Sequence, residues 1–167
     1  MRKRIITILG AASVIVLFAT GCSADNTGNG GTKVEKSSKK KSEIKDYKLG
    51  ETVKVGDVEY TLKSVEKTDE RNEFEDSKPA NVIKVVYHVK NDGKQDLPIG
   101  TDLDAYGPDN NKLKTYPISN TTVDSIAPGK ESDVTTGFGT DKMGDFELQF
   151  KPLVSLDKSA KFKVNVQ

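Results

Sequence analysis

Alternation of apolar and polar residues is the dominant pattern over residues 47–167. At residues 58–62 the apolar side chains occupy every second position, and residues 83–89 repeat the pattern over a longer run. A period of two places successive side chains on opposite faces of an extended strand, so one face can pack in a core. Pairs such as Gly56-Asp57 and Asp92-Gly93 separate the runs and favour turns. The pattern predicts antiparallel strands and argues against a parallel sheet, whose buried strands are continuously apolar.

Seven or eight short strands fit into this segment, with turns about every 8–12 residues, as in an antiparallel β-sandwich. A small closed barrel is the alternative. No run has the period of an amphipathic helix, and residues 141–145 or 153–159 could hold one helical turn at most. The chain has no Trp, so the core must consist of Phe, Tyr, Val and Leu side chains. We expect a buried face at Ile83, Val85, Tyr87 and Val89.

The first 21 residues have the pattern of an export signal. Arg2, Lys3 and Arg4 precede an apolar run that extends to Thr20. This run is shorter than the ~20 residues that cross a bilayer comfortably. We predict a signal peptide over residues 1–21.

A single cysteine follows this run directly, in the sequence Ala19-Thr20-Gly21-Cys22. The arrangement resembles the lipobox of bacterial lipoproteins, which implies cleavage between Gly21 and Cys22 and a diacylglycerol on the Cys22 thiol. Acyl chains of this kind hold a protein at a membrane because each buried CH₂ contributes about 0.8 kcal/mol. An ordinary signal peptide, or a signal anchor with an incidental cysteine, is the alternative.

Residues 22–46 are rich in Gly, Ser, Asn, Thr and Lys, with Val34 and Ile44 as the only large aliphatic residues. Such a segment cannot bury enough apolar surface to offset its ordering entropy, so we predict a disordered tether. Its run Lys39-Lys40-Lys41 could contact anionic lipid or wall polymer, or could simply be solvated. The whole chain has a formal charge of +1, and this near balance argues against a nucleic-acid partner. The predicted domain at 47–167 is acidic, with 17 basic and 21 acidic residues.

Several turns and strands resemble a domain-of-unknown-function family of Gram-positive lipoproteins. The matching segments are residues 49–66 (LGETV and VEYTLKSVE), residues 85–94 (VVYHVKNDGK) and residues 126–130 (IAPGK). The resemblance implies an immunoglobulin-like, telokin-like sandwich, similar in shape to a secreted mycobacterial immunoprotective antigen. It also implies an extracytoplasmic location, and it supplies no catalytic residues to carry over.

Little in the sequence indicates an enzyme. His88 is the one imidazole, and alternation places it opposite the buried face of its strand; no Gly-x-Ser-x-Gly nucleophile motif is present. Asp102 and Asp104 are two positions apart on a predicted strand, which places them on one face about 7 Å apart. Paired carboxylates can act in glycoside hydrolysis, so a wall-polymer hydrolase is an alternative. A cleft at these residues, with one carboxyl pKa raised, would favour it.

Hard oxygen ligands occur at Asp102, Asp104, Asp109 and Asn110, and could hold Ca²⁺. The spacing does not match an EF-hand, and turn formation explains Asp and Asn at these positions equally well. We therefore expect no cofactor and keep a Ca²⁺-binding or small-ligand sensor as an alternative. The main prediction is a lipid-anchored, extracytoplasmic, non-catalytic interaction module. Its partners would be the membrane, through Cys22, and an unknown protein or cell-wall polymer.

Overall fold

The computed structural model describes residues 32–33, 46–153 and 155–167. The predicted signal peptide, Cys22 and most of the predicted tether lie outside the described residues. Within the described residues, no helix is long and apolar enough to span a membrane. The strands are β1 (Thr32–Lys33), β2 (Thr52–Val55), β3 (Val58–Thr68), β4 (Asn81–Asn91), β5 (Leu97–Ile99), β6 (Leu103–Tyr106), β7 (Lys114–Thr115), β8 (Asp124–Ile126), β9 (Glu131–Thr140), β10 (Gly144–Phe150) and β11 (Ala160–Val166).

These strands form two main antiparallel sheets. The larger sheet has the order β1-β2-β3-β4-β9-β7, the smaller has the order β11-β10-β6, and β5 pairs with β8 separately. Seven of the described strands have four or more residues, and the others have two or three. The prediction of an all-β antiparallel sandwich is confirmed.

The tight turn between β2 and β3 illustrates how the sequence sets the pairing. Val55 lies opposite Val58, and the two intervening residues form the turn. Gly56 has φ +59°, a conformation that costs a glycine little because it has no Cβ. Strands β3 and β4 then pair along ten residue positions, with a register shift between Leu62 and Ser64.

Aromatic side chains fill the space between the two sheets. The ring of Phe150 lies 5.1 Å from that of Tyr60, 4.9 Å from Tyr87 and 5.3 Å from Phe162, measured between centroids. The predicted buried face of β4 is confirmed, since its four side chains from Ile83 to Val89 are fully buried. Val82, which alternation places on the other face, is buried as well.

The sandwich has two ends. We call the end with the turn at residues 56–57 and the loop at residues 151–159 the tether end. A Cβ on Gly56 would lie 2.8 Å from Oδ2 of Asp157, which shows how closely this turn and this loop approach each other. The distal end carries the loop at residues 69–80 and the connections at 107–111 and 141–143.

Two described segments at the N-terminal side of the domain run away from the tether end. Strand β1 runs antiparallel to β2, with Thr32 opposite Lys54 and Lys33 opposite Val53, so Thr32 is the residue of β1 nearer to the tether end. Tyr47 forms a parallel bridge with Phe162, so it has the same direction as β11, which begins at the tether end. Strand β1 belongs to the segment predicted to be a disordered tether; its two residues cover the outer edge of β2.

Candidate functional site

Asp102, one of the predicted site residues, lies in the core. It precedes β6, so the prediction that it lies on one strand with Asp104 is wrong, and its side chain is buried, with the residue only 3% exposed. Its Oδ1 accepts hydrogen bonds from the Tyr87 hydroxyl at 2.6 Å and from the Gly100 amide at 3.0 Å. These two donors hold the side chain in the core.

Burial governs the protonation of this cluster. It raises the pKa of Asp102 above its usual value, although the hydrogen bond from Tyr87 opposes the shift. The pKa values of Tyr60 and Tyr87 are raised by burial and by the nearby Asp102 carboxylate. Within the described residues, Oδ2 of Asp102 and the hydroxyl of Tyr60 have no hydrogen-bond partner.

The other predicted Ca²⁺ candidates have partners of their own. Asp104 binds Lys112 at 2.7 Å, and Asp109 accepts a hydrogen bond from the Asn111 amide at 3.2 Å. Asn110 adopts φ +61° in the turn, which is the role that turn formation assigns to it. Among residues 46–153 and 155–167, no group of three or more His, Cys, Asp or Glu side chains is arranged to hold a metal ion.

A cleft of about 530 Å³ is lined by Asp102 and Asp104 together with the loop at residues 151–159. One of its two carboxyl groups has a raised pKa, which is the combination that the hydrolase alternative requires. However, a general acid must touch its substrate, and the Asp102 carboxyl is buried, with Oδ1 already accepting hydrogen bonds from the protein itself. The geometry therefore assigns Asp102 a structural hydrogen-bonding role.

His88 lies on the outer face of the large sheet, as predicted. Its Nδ1 is 2.7 Å from Oδ1 of Asp133, and the same carboxylate accepts a hydrogen bond from Lys63 at 2.8 Å. Lys63 and His88 hold the pKa of Asp133 below its usual value. This cluster is a cross-strand charge network of the kind that stabilises exposed sheet faces.

The loop at residues 69–80 is the most prominent feature of the distal end, and hydrogen bonds fix it on both sides. The Tyr116 hydroxyl accepts a hydrogen bond from the Asn72 amide at 2.8 Å, and Glu70 accepts one from the Ser119 amide at 2.7 Å. That second bond lowers the pKa of Glu70. Arg71 donates to backbone carbonyls at both ends of the loop, those of Thr68 and Ala80, at 3.0 and 3.3 Å.

This fixed loop presents Phe74 to solvent. The side chain is 96% exposed, and the Phe74 amide is held by Oδ1 of Asn72 at 3.0 Å. Beside it lies a cavity of about 480 Å³, lined also by Arg71, Pro117 and Ile118. An exposed aromatic side chain next to an arginine and an apolar hollow is the composition of a protein-binding hot spot. We call Phe74, Arg71, Pro117 and Ile118 the Phe74 surface.

A second distal cavity, of about 390 Å³, is lined by four lysines and two aspartates. Lys142 lies 3.8 Å from Asp109, and Lys112 is paired with Asp104 outside the cavity, so neighbouring carboxylates compensate much of the positive charge. An anionic ligand would have to compete with these carboxylates.

Sequence reasoning missed the Phe74 surface. Residues 69–80 are mostly charged, and Phe74 is the only large apolar residue among them, which is a signal that the sequence does contain. The anchoring by Tyr116 could not be seen, because Tyr116 is 44 residues away in the chain.

Several solved structures have folds similar to this one. A provisionally assigned lipoprotein (ycdA) from Bacillus subtilis is 26% identical, with a TM-score of 0.55, over 65% of this chain and 36% of that chain. This chain thus spans about a third of the length of that protein. The yjhA protein from Bacillus subtilis is 14% identical, with a TM-score of 0.55, over 72% of this chain and 99% of that chain.

A secreted protein from Mycobacterium tuberculosis, MPT63, is 9% identical, with a TM-score of 0.49, over 68% of this chain and 84% of that chain. No curated protein matches the chain significantly. The family model described as "Domain of unknown function (DUF4352)" matches residues 47–161, which includes most of both sheets. This match covers more than half of the sequence, and the chain therefore belongs to the DUF4352 family.

Proposed function

We propose that this protein is a lipid-anchored, extracytoplasmic lipoprotein of a Gram-positive bacterium, and that its β-sandwich is a non-catalytic module that binds a partner protein. The observation that carries the proposal is the fixed, exposed Phe74 at the distal end of the sandwich, opposite to the tether end. An anchor at one end leaves the other end free to meet a partner.

The sequence and a similar structure support the anchoring part. The charged residues 2–4, the apolar run and the small residues before Cys22 are what lipoprotein processing requires. The similarity to a protein assigned provisionally as a lipoprotein is in line with this arrangement. Diacylglycerol on Cys22 would hold the domain at the outer face of the cell membrane.

Charge favours a protein over an anionic wall polymer as the partner. Residues 69–80 contain five acidic and two basic side chains, so an anionic polymer would be repelled from the loop that carries Phe74. A protein with an apolar pocket and a basic rim would fit the Phe74 surface. Burying a Phe side chain of this size can supply about 2 kcal/mol or more of binding free energy.

Photocrosslinking in living cells tests the binding surface. A photoreactive amino acid replaces Phe74 in the full lipoprotein, and the same replacement at Val123, which is 73% exposed, is the matched control. We expect a discrete protein adduct from position 74 and none of the same size from position 123. Adducts from neither position, or from position 74 to wall polymer alone, would contradict a protein partner at this surface.

Membrane fractionation tests the anchor separately. The Cys22→Ala variant should leave the detergent phase, whereas the unaltered protein should remain in it. Unchanged partitioning of the variant would mean that something other than a lipid on Cys22 retains the protein.

A wall-polymer hydrolase is the second candidate, because Asp102 and Asp104 line one cleft and the pKa of Asp102 is raised. It predicts that purified protein releases soluble fragments from cell walls and that Asp104→Asn and Asp102→Asn each abolish the release. The interaction module predicts no release by the unaltered protein. If the unaltered protein releases wall fragments and both substitutions abolish this release, the hydrolase would replace the main proposal.

A further inference from the structure

Two leucines on the loop between β10 and β11 are turned toward solvent. Leu153 is 57% exposed and Leu156 is 102% exposed, so Leu156 has almost no contact with the rest of the protein. Single exposed apolar residues are common, but two on one short loop at the tip of a sandwich leave a concentrated apolar surface in water. Their neighbour Pro152 is buried, which attaches the loop to the domain.

The position of this loop specifies what can cover the leucines. It lies at the tether end, where the backbone of Gly56 approaches Asp157 and from which the segments at Thr32 and Tyr47 run. Nine residues separate Cys22 from Thr32. Even fully extended, ten residue steps span at most about 36 Å. A lipid on Cys22 therefore keeps the tether end close to the membrane.

Basic side chains near the leucines suit an anionic bilayer. Lys151 and Lys158 flank the two leucines in sequence, and Lys94 and Lys130 are exposed on the neighbouring turns. Lysines beside an apolar tip are attracted to anionic headgroups at about 1 kcal/mol each near the surface.

Acidic side chains of the same end are partly compensated within the protein. Asp92 is neutralised by Lys54 at 2.6 Å and by Lys90 at 2.8 Å. Further exposed acids of this end include Asp57, Asp96 and Asp157. The strongly acidic loop at residues 69–80 is at the distal end, where an anionic surface would least disfavour it.

We propose that Leu153 and Leu156 dock onto the anionic phospholipid bilayer and insert at the headgroup boundary. This inference rests on the proposed lipid anchor and adds a second contact to it. Apolar tips flanked by lysines bind membrane interfaces through buried area and attraction to anionic lipid together. Docking would hold the sandwich upright and direct the Phe74 surface away from the membrane.

The test uses the lipidated protein purified with its lipid and reconstituted in vesicles of phosphatidylglycerol and phosphatidylcholine. A lipidated Cys22 has no free thiol, and the sequence has no other cysteine, so an environment-sensitive maleimide dye can label an introduced cysteine alone. Leu156→Cys carries the dye at the tether end, and Phe74→Cys carries it at the distal end as the control. Spin-labelled lipids then report which dye contacts the bilayer.

We expect lipid quenching of the dye at position 156 and none at position 74. Leu153→Ser should reduce the docked population about tenfold, because it removes roughly one partly buried leucine. Vesicles of phosphatidylcholine alone should reduce it as well. Equal quenching at both positions would overturn docking. The absence of quenching at position 156, in a protein whose Cys22 does not react with maleimide, would also overturn docking. Either result would leave the anchor intact.

Self-association of the loop and failure of the anchor each have a distinct signature. The dye at position 156 could instead be shielded from water in a way that does not depend on the lipid quencher and that increases with protein density. That result would show that the loop contacts a second copy of the chain, and it would overturn the inference. Maleimide labelling of Cys22 in the otherwise unaltered protein would overturn the anchor and the docking inference that rests on it.

Discussion

The hydroxyl of Tyr87 donates a 2.6 Å hydrogen bond to Oδ1 of Asp102, and this bond joins the two sheets through the core. Tyr87 is in the middle of β4, and Asp102 immediately precedes β6 in the other sheet. A buried carboxyl is expensive unless it is protonated or well hydrogen-bonded, so this contact determines how stable the surrounding core can be.

Removing the donor and neutralising the acceptor should have different effects. Tyr87→Phe leaves a buried carboxyl with one donor fewer, which we expect to lower the free energy of unfolding by about 1–3 kcal/mol. Asp102→Asn keeps an acceptor for Tyr87 and Gly100 without the buried charge, so its stability at neutral pH should equal or exceed that of the unaltered protein. Urea denaturation measures both; a larger loss for Asp102→Asn than for Tyr87→Phe would contradict the expectation that burying the charged carboxyl costs stability.

The same pair predicts a pH dependence. Burial raises the pKa of Asp102, so the folded state holds its proton to a higher pH than the unfolded chain does. The stability from this residue is therefore complete below its usual pKa of 3.8 and decreases as the pH rises toward the raised value. Asp102→Asn should remove this decrease. Parallel slopes of stability against pH in the two proteins would refute it.

Gly100 should tolerate no side chain. It has φ +91°, and a Cβ there would lie 1.9 Å from the backbone oxygen of Thr122. Backbone atoms cannot move aside as a flexible side chain can, so Gly100→Ala should cost about 3 kcal/mol or more. Gly50→Ala is the matched control, since it has φ +82° and open space around it, and should cost only about 1 kcal/mol. Thermal unfolding compares them; equal losses would mean that the contact with Thr122 is unimportant.

Acid should weaken the turn at the tether end. Hydrogen bonds from Lys54 and then Lys90 lower the pKa of Asp92 to about 2. A carboxyl with a lowered folded-state pKa contributes stability above its ordinary pKa of 3.8, and that contribution is lost as the pH falls toward 2. Because solvent reaches the pair, we expect about 1 kcal/mol in this window. The Asp92→Asn variant should lack this contribution at neutral pH. Its free energy of unfolding should therefore decrease less steeply than that of the unaltered protein as the pH falls.

Much of the fold could be predicted because its determinants are local. The turn at Gly56-Asp57 and the alternation on β4 set pairing and burial from adjacent residues. Asp102 was placed wrongly because alternation alone cannot reveal that Tyr87 and the Gly100 amide draw the side chain into the core. The Phe74 surface depends likewise on Tyr116, a contact distant in sequence. Packing between sheets decides such positions, and no local pattern encodes it.

Calcium should leave the stability unchanged. Asp104 is paired with Lys112, Asp109 caps its own turn, and Asp102 is in the core, so a Ca²⁺ ion would have to break existing contacts to gain ligands. We expect the same Tm in Ca²⁺ and in EDTA. A rise in Tm with Ca²⁺ that Asp109→Asn abolishes would instead support the sensor alternative, because a ligand that binds the folded state stabilises it.

Substitutions of two phenylalanines should distinguish effects on stability from effects on binding. Phe150 packs against Tyr60, Tyr87 and Phe162, so Phe150→Ala should cost about 3–5 kcal/mol of unfolding free energy. Phe74 is 96% exposed, and its loop is held through Asn72 and Glu70 and not through the ring. Phe74→Ala should therefore change stability by no more than about 0.5 kcal/mol.

For any partner of the Phe74 surface, the order of the two phenylalanines should be reversed, because binding should depend on the Phe74 side chain. In cells that display equal amounts of folded lipoprotein, Phe74→Ala should abolish crosslinking from a photoreactive residue at the neighbouring Ile118, since the aromatic ring supplies the apolar contact there. Arg71→Ala is a poor substitute, because it also releases the loop from Thr68 and Ala80. Retained crosslinking in a stable Phe74→Ala variant would show that the partner binds elsewhere on the sandwich.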